Sequence, residues 1–421
     1  MRIRLAFAAL LAALPLAAQT EYVNPFIGTT NFGACNPGAV TPNGLMSVTP
    51  FNVMGSTLNT WDKDSRWWST PYVEENVYFT GFAHVNLSGV GCPELGSVLT
   101  MPTTGPLEVD YHLYGSEYSE EKATPGYYSV RLASGILTEA TATTRTSLER
   151  YTFPAGAGNI LVNLGEGLTN ESGATVRRVS DTEIEGSKLM GTFCYNRNAV
   201  FPMYFVLRVS KAPDSAGYWK KQRPMTAEAA WDADAGRYKL YKAYGRDLSG
   251  DDIGYWFRYE DLGEGEQVMV QVGVSFVSID NARENLEKEQ SGFDFQAVAA
   301  AAESTWREQL GRIRVTGGTE EQRIVFYTAL YHTLIHPNIL EDVKEALGRQ
   351  DVFAYVGGLH LFKLTDAEGE SLKVYACLGG DPSDAFWQKN GYLLNLHTVG
   401  LVLDQNALAE LIGRIGQRTE E

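Results

Sequence analysis

Only four cysteines occur in the 421 residues, Cys35, Cys92, Cys194 and Cys377, and no two stand in a C-x-x-C spacing. That spacing argues against a structural zinc site or a dithiol redox motif. Zinc-protease chemistry is missing as well. His332 and His336 stand four apart, but Thr333 follows the first histidine where H-E-x-x-H needs glutamate. After the first few residues no stretch approaches the roughly 18 apolar residues of a membrane helix, so no membrane span is expected. Positive charge is scarce, with 35 Lys and Arg against 51 Asp and Glu and a net charge of −16. No Lys/Arg cluster offsets that balance, so no nucleic-acid partner is expected and the acidity reads as solubility.

What is present begins with a leader pattern. Arg2 and Arg4 precede the apolar run Leu5–Leu16, and Ala17-Ala18 supplies small residues for cleavage. Residues 1–18 read as a signal peptide and the protein as exported, periplasmic or extracellular. An even number of cysteines in an exported chain permits three pairings, between which spacing does not choose; buried free thiols are equally compatible. Roughly 400 mature residues exceed what one hydrophobic core usually serves, so two domains are expected.

From 21 to about 290 the pattern is β. Val268, Val270, Val272, Val274 and Phe276 alternate with mostly small or polar residues, which suits a strand with one buried face. Tyr127–Leu132, Leu148–Phe153, Ile160–Leu164 and Met203–Val209 are further strand candidates between turn-forming clusters. Many strands without intervening helices predict a large, mainly β antiparallel sandwich. Near Phe293 the period lengthens. Phe295, Val298, Ala302, Trp306, Leu310 and Ile313 recur at helical spacing behind Asp294, predicting a helix over Phe295–Ile313. Arg312–Val315 reads as a short strand. Thr319-Glu320-Glu321-Gln322 is a capping box that opens a helix over about Glu320–His336, stopped by Pro337. Residues 291–348 thus form a helical segment, and 349–421 are divergent, with one further helix expected over Asp404–Arg418.

Three segments carry a resemblance. Tyr118–Val130 (YSEEKATPGYYSV), Tyr22–Pro50 and Thr80–Pro102 together resemble the amino-terminal half of family-92 glycoside hydrolases, and Phe326–Pro337 is similar too. The resemblance implies an exported, calcium-dependent α-mannosidase that hydrolyses mannosidic bonds of N-glycans or mannans with inversion. It implies a β-sandwich followed by the start of an (α/α)6 helical toroid. Acid and base in that family come from the carboxyl-terminal barrel, the base from a Gly-Asn-Asp-Asp type stretch. No Asn-Asp-Asp occurs here, and Asp366 is a poor substitute, so no catalytic residue is assigned and the barrel is expected to be truncated. Calcium is implied with its ligands outside this chain, and a mannose-containing glycan is the implied partner. Cys35 and Cys92, both in family-like segments, are the pair to inspect first. The alternative is a non-catalytic carbohydrate-binding sandwich.

Candidate sugar contacts follow from chemistry and resemblance together. The loop Gly28–Gly38 contains Asn31, Phe32 and Gly33, and its glycines permit close backbone approach to hydroxyls. Trp61–Trp68 packs three indoles with Asp62 and Asp64; Trp67 and Trp68 offer faces for sugar C–H groups and the carboxylates accept from hydroxyls. Core indoles beside a solvated loop explain that composition equally well. His84 and Asn86 alternate on a predicted strand and share one side, as ligand contacts or as satisfied structural groups. Glu74-Glu75 and Glu120-Glu121 read as solvated turns, and His332 and His336 as residues packing at the domain boundary.

Overall fold

A computed structural model describes residues 19–30, 33–60, 69–169, 173–192, 196, 199–222, 237–242 and 247–343. It also describes the backbone of strands Ala354–Val356, Leu359–Leu364 and Lys373–Leu378. The expected signal peptide and the Asp404–Arg418 helix lie outside the described residues.

Two antiparallel sheets form the bulk of the chain. One has eight strands, running from Ala39–Val40 through Ser47–Phe51, Gly81–Asn86, Leu95–Thr104, Gly156–Asn163, Ile253–Leu262 and Ser215–Gln222 to Arg237–Lys242. The other has ten. It runs from Asp247–Gly250 through Ala174–Arg178, Glu183–Gly191, Val200–Val209, Glu266–Ser275, Thr146–Phe153, Leu137–Ala142, Tyr127–Leu132 and Ser116–Thr124 to Tyr78–Phe79. Their facing side chains, among them Phe82, Leu99, Tyr151, Leu161, Phe257 and Val270, make one continuous core. This is the predicted sandwich, with strands where the sequence candidates fall.

Glu266–Ser275 departs from simple alternation: from Val270 onward both faces are buried. The second face is covered by helix α2 (Ile279–Glu289; the four-residue α1 is Tyr111–Tyr114). A Cβ on Gly273 would come within 2.8 Å of Leu286, so glycine lets the helix lie flat on the strand. Arg283 of α2 reaches Glu183 and Glu185 on that outer face, and Arg208 and Arg177 pair with the same two carboxylates.

Helix α3 (Phe295–Leu310) starts where predicted, with Asp294 accepting from the Ala297 amide at 3.0 Å. Helix α4 (Glu320–His332) opens on the predicted capping box, both reciprocal bonds being present. It ends one turn earlier than expected. The Thr333 hydroxyl donates to the Leu330 carbonyl at 2.7 Å and caps the last turn. The strand expected at Arg312–Val315 is absent from the structure, where residues 312–315 are irregular and exposed. The segment lies beside a helix instead of a strand. The Tyr327 hydroxyl serves its backbone, accepting from the Val315 amide and donating to the Ile313 carbonyl. In the divergent region three strands pair as an antiparallel meander, in which the sequence reading found no strand.

A second, smaller core joins sandwich to helices: Val23, Val40, Trp306, Leu310, Tyr327, Tyr331 and Ile335. The fully buried Trp306 indole donates to the Val40 carbonyl at 2.6 Å. Beyond α4 the chain returns to the sandwich. The Asn43 amide donates to Leu334 O at 2.7 Å, and Asn43 O accepts from the amides of Asn338 and Ile339. Buried Asp342 accepts from Ser275, Asn281 and Asn285 at 2.6–2.7 Å. Of the cysteines, Cys35 is free whereas Cys92 is disulfide-bonded. The Cys35–Cys92 pairing inspected first on the sequence is therefore not formed.

Candidate functional site

Three loops of the sandwich are bonded to one another, and the first of them meets the carboxyl end of α4. The first, around Gly28–Gly38, folds back on itself: the Gly33 amide donates to Thr30 O at 2.8 Å and the Cys35 amide to Gly28 O at 3.2 Å. Gly28 sits at φ +83°, in the left-handed region, and a Cβ on Gly33 would overlap the Gly28 carbonyl. The glycines first let the loop pack against itself. Asn36 braces its far end, accepting from the Gly38 amide and the Thr49 hydroxyl and donating to Leu87 O.

The second loop is Ser88–Pro93, whose Gly89 amide donates to Ala34 O at 2.8 Å. The third is Tyr72–Asn76, joined to the first where the Glu74 amide donates to Thr29 O at 3.2 Å. Irregular backbone must find hydrogen bonds outside a ladder, and asparagines supply them. Asn52 donates to Val73 O and accepts from the Val73 amide, while Asn76 and Asn59 both donate to Asn52 O.

Behind the third loop stands Glu121. It was read as a solvated turn, but it lies in the strand Ser116–Thr124 and is partly buried. Glu120 takes φ +53° and the register slips between Ser119 and Lys122, a bulge that turns the next side chain inward. Its carboxylate accepts from Tyr128 at 2.5 Å and from Tyr72 at 3.0 Å. Burial pushes the Glu121 carboxyl above its usual value, with nearby Glu74 adding to the rise. Such a group stabilises the fold fully below the ordinary carboxyl range, and that contribution is lost as pH rises through its elevated folded value. Glu121→Gln cannot ionise. It is expected to gain stability relative to the parent as pH rises above the ordinary carboxyl range, measured by denaturant unfolding. Parallel profiles for the two proteins would contradict this.

Helix α4 closes the site. Asn24 donates from its amide to Thr328 Oγ1 at 3.0 Å, Tyr22 stacks on Tyr327, and His332 Nδ1 lies 3.8 Å from Cys35 Sγ. Burial lowers His332 and raises the Cys35 thiol, while a Ser88 hydrogen bond opposes the latter. Burial likewise lowers His336, which lies just past the helix. Both histidines sit at the sandwich–helix boundary, as read from the sequence.

Of the sequence-predicted contacts, Gly33 lies in the first loop. Asn31, Phe32, Asp62, Asp64, Trp67 and Trp68 lie outside the described residues. His84 and Asn86 are buried in the strand Gly81–Asn86. His84 Nδ1 donates to Val98 O at 2.6 Å and its Nε2 meets Glu149 Oε1 at 2.7 Å, bridging the sheets. Asn86 donates to Ala83 O at 3.0 Å, and its amide donates to the Ser47 hydroxyl at 2.8 Å. His84 thus has both ring nitrogens engaged, whereas the buried Asn86 Oδ1 has no hydrogen-bond partner. Glu121 and the Cys35–His332 approach were missed as site features: a bulge breaks strand periodicity, and residues 297 apart share no spacing signal.

Among the described residues no three His, Cys, Asp or Glu side chains converge as a cation cage requires, so calcium does not fit there and enters no step below.

Residues 22–275 match the glycosyl hydrolase family 92 N-terminal domain, and residues 281–366 match the family 92 catalytic domain. An uncharacterized secreted glycosidase of Arthroderma benhamiae is 29% identical over 356 residues, 76% of this chain and 43% of that protein. A GH92 α-mannosidase of Bacteroides thetaiotaomicron is similar in structure, with TM-score 0.66 and 25% identity over 86% of this chain and 45% of its own. That enzyme has also been solved with mannoimidazole. A GH92 inverting mannosidase of the same organism shares the fold at TM-score 0.60 and 20% identity, over 87% of this chain and 44% of its own. The chain thus spans less than half the length of each relative.

Proposed function

Because the chain belongs to glycosyl hydrolase family 92, we propose that it is an α-mannosidase-type protein whose sandwich loops contact the glycan. The match of two consecutive segments to the two domains of that family carries the reading. The substrate class is α-linked mannose of N-glycans or mannans, and the reaction of the type is inverting hydrolysis. Inversion needs one carboxyl to protonate the leaving oxygen and another, about 6.5–9.5 Å away, to activate water. Glu121 is no candidate for either role, since both its oxygens are held by tyrosine hydroxyls. This chain's residues therefore bind and orient the sugar, while no acid–base pair is assigned within it. Calcium remains part of the family-type reading, without ligands among the described residues. Export is supported by the leader pattern and by the secreted relative.

Binding groups without acid and base lose most transition-state stabilisation. Purified residues 19–421 are expected to bind α-1,2-mannobiose by calorimetry in the presence of calcium and to release no mannose in the same samples. Mannose release at rates comparable with full-length relatives would overturn the division of labour. Absence of both binding and release would remove the carbohydrate-binding alternative as well.

A further inference from the structure

Of the four cysteines, Cys35 is free and Cys92 is disulfide-bonded, so within the chain the second half of that bond is Cys194 or Cys377. Cys92 sits in the loop Ser88–Pro93, which leads through Glu94 into the strand Leu95–Thr104 of the eight-stranded sheet. At that end the two sheets touch. The Gly191 amide, at the close of Glu183–Gly191 in the ten-stranded sheet, donates to Glu94 Oε1 at 3.0 Å and to Thr169 Oγ1 at 3.2 Å. The Thr169 amide donates in turn to Leu95 O at 3.1 Å, and the Ser97 hydroxyl meets Met190 Sδ at 3.7 Å.

We propose that Cys92 is bonded to Cys194, as a covalent staple between the sheets that holds the second loop to the connection after Gly191. Cys92 is two residues from Glu94, and Cys194 is three from Gly191. A chain spans at most about 3.3–3.6 Å per residue, so each cysteine stays within about 7–11 Å of a contact already made. A disulfide needs Cα atoms about 4.4–6.8 Å apart, which that reach allows. Cys377 is paired elsewhere. Its strand Lys373–Leu378 sets it opposite His360, and among the described residues the three-stranded meander shares no ladder with either sheet of the sandwich. A cross-link closing residues 92–194 restricts the unfolded chain over a long loop, so it should stabilise the fold. It also steadies the folded loops, because the Gly89 amide of the stapled loop donates to Ala34 O of the first at 2.8 Å.

Tryptic mapping of the full chain, purified without reductant, tests this directly. The peptides ending at Lys63, Lys122, Arg197 and Lys389 carry Cys35, Cys92, Cys194 and Cys377 separately. With free thiols alkylated, mass spectrometry is expected to find the Cys92 and Cys194 peptides joined and the Cys35 peptide alkylated. A Cys92 peptide joined to that of Cys377 or Cys35, or itself alkylated, would overturn the proposal, and this readout needs no variant to fold. Cys194→Ser is expected to open Cys92 to alkylation and to lower the melting temperature, whereas Cys377→Ser leaves Cys92 protected; the reverse pattern would overturn it too. Reduction of the parent chain is expected to speed amide exchange at residues 88–92 and to leave Gly81–Asn86 unchanged. Unaltered exchange at 88–92 would overturn the staple's hold on the loop. No glycan enters any of these readouts, so their outcome is separate from that of the binding experiment.

Discussion

Replacing Glu149 by alanine is expected to cost about 3–5 kcal/mol of folding stability, the range for breaking a buried pair by removing one partner. Glu149 is fully buried between the sheets and holds three groups at once: His84 at 2.7 Å, the Thr100 hydroxyl at 2.6 Å and the Tyr151 hydroxyl. Each would be left facing an apolar cavity, and a single unsatisfied buried group already costs about 1–3 kcal/mol. Domains commonly hold only about 5–15 kcal/mol in reserve, so the variant should unfold at much lower denaturant. Glu149→Gln keeps one acceptor oxygen and should lose less. A midpoint for Glu149→Ala close to the parent's would mean that water enters and replaces the carboxylate.

Trp306→Ala should be comparably severe, about 3–5 kcal/mol, but local in character. Trp306 is fully buried at the seam, packs on Tyr331 at 4.6 Å between ring centroids, and donates to the Val40 carbonyl. Its removal leaves a cavity between α3, α4 and the edge strand Ala39–Val40, away from the core between the sheets. Limited proteolysis should therefore cut within residues 291–343 before it reaches the sandwich. Trp306→Phe retains most of the packing and loses only the indole donor, so it should fall between parent and alanine variant. Cleavage in the sandwich first would show that Trp306 does not secure the junction.

Much of the architecture was legible because it follows period and punctuation. Alternating valines placed the strand around Val268, and Thr319 with Gln322 announced the start of α4. Where prediction and structure part, a tertiary partner decides. The strand expected at 312–315 finds only the Tyr327 hydroxyl. Glu121 turns inward because one bulged residue reverses the faces of the strand, which no spacing of charges reveals. His84 shows the limit in the other direction. A polar residue in a family-like segment reads equally as ligand contact or core bridge until Glu149, 65 positions away, is seen against it. Of the three loops only the first, Gly28–Gly38, is legible as a candidate contact, through its Gly, Asn and Pro content; the other two and how the loops brace one another are not.

Hydrogen–deuterium exchange with and without α-1,2-mannobiose tests most directly whether the three bonded loops form the glycan surface. The account predicts slowed exchange at residues 33–38, 72–76 and 88–92, with the interior strand Gly81–Asn86 unchanged. Mannobiose bound by calorimetry with no slowing in those loops, or with protection confined to another face of the sandwich, would contradict it.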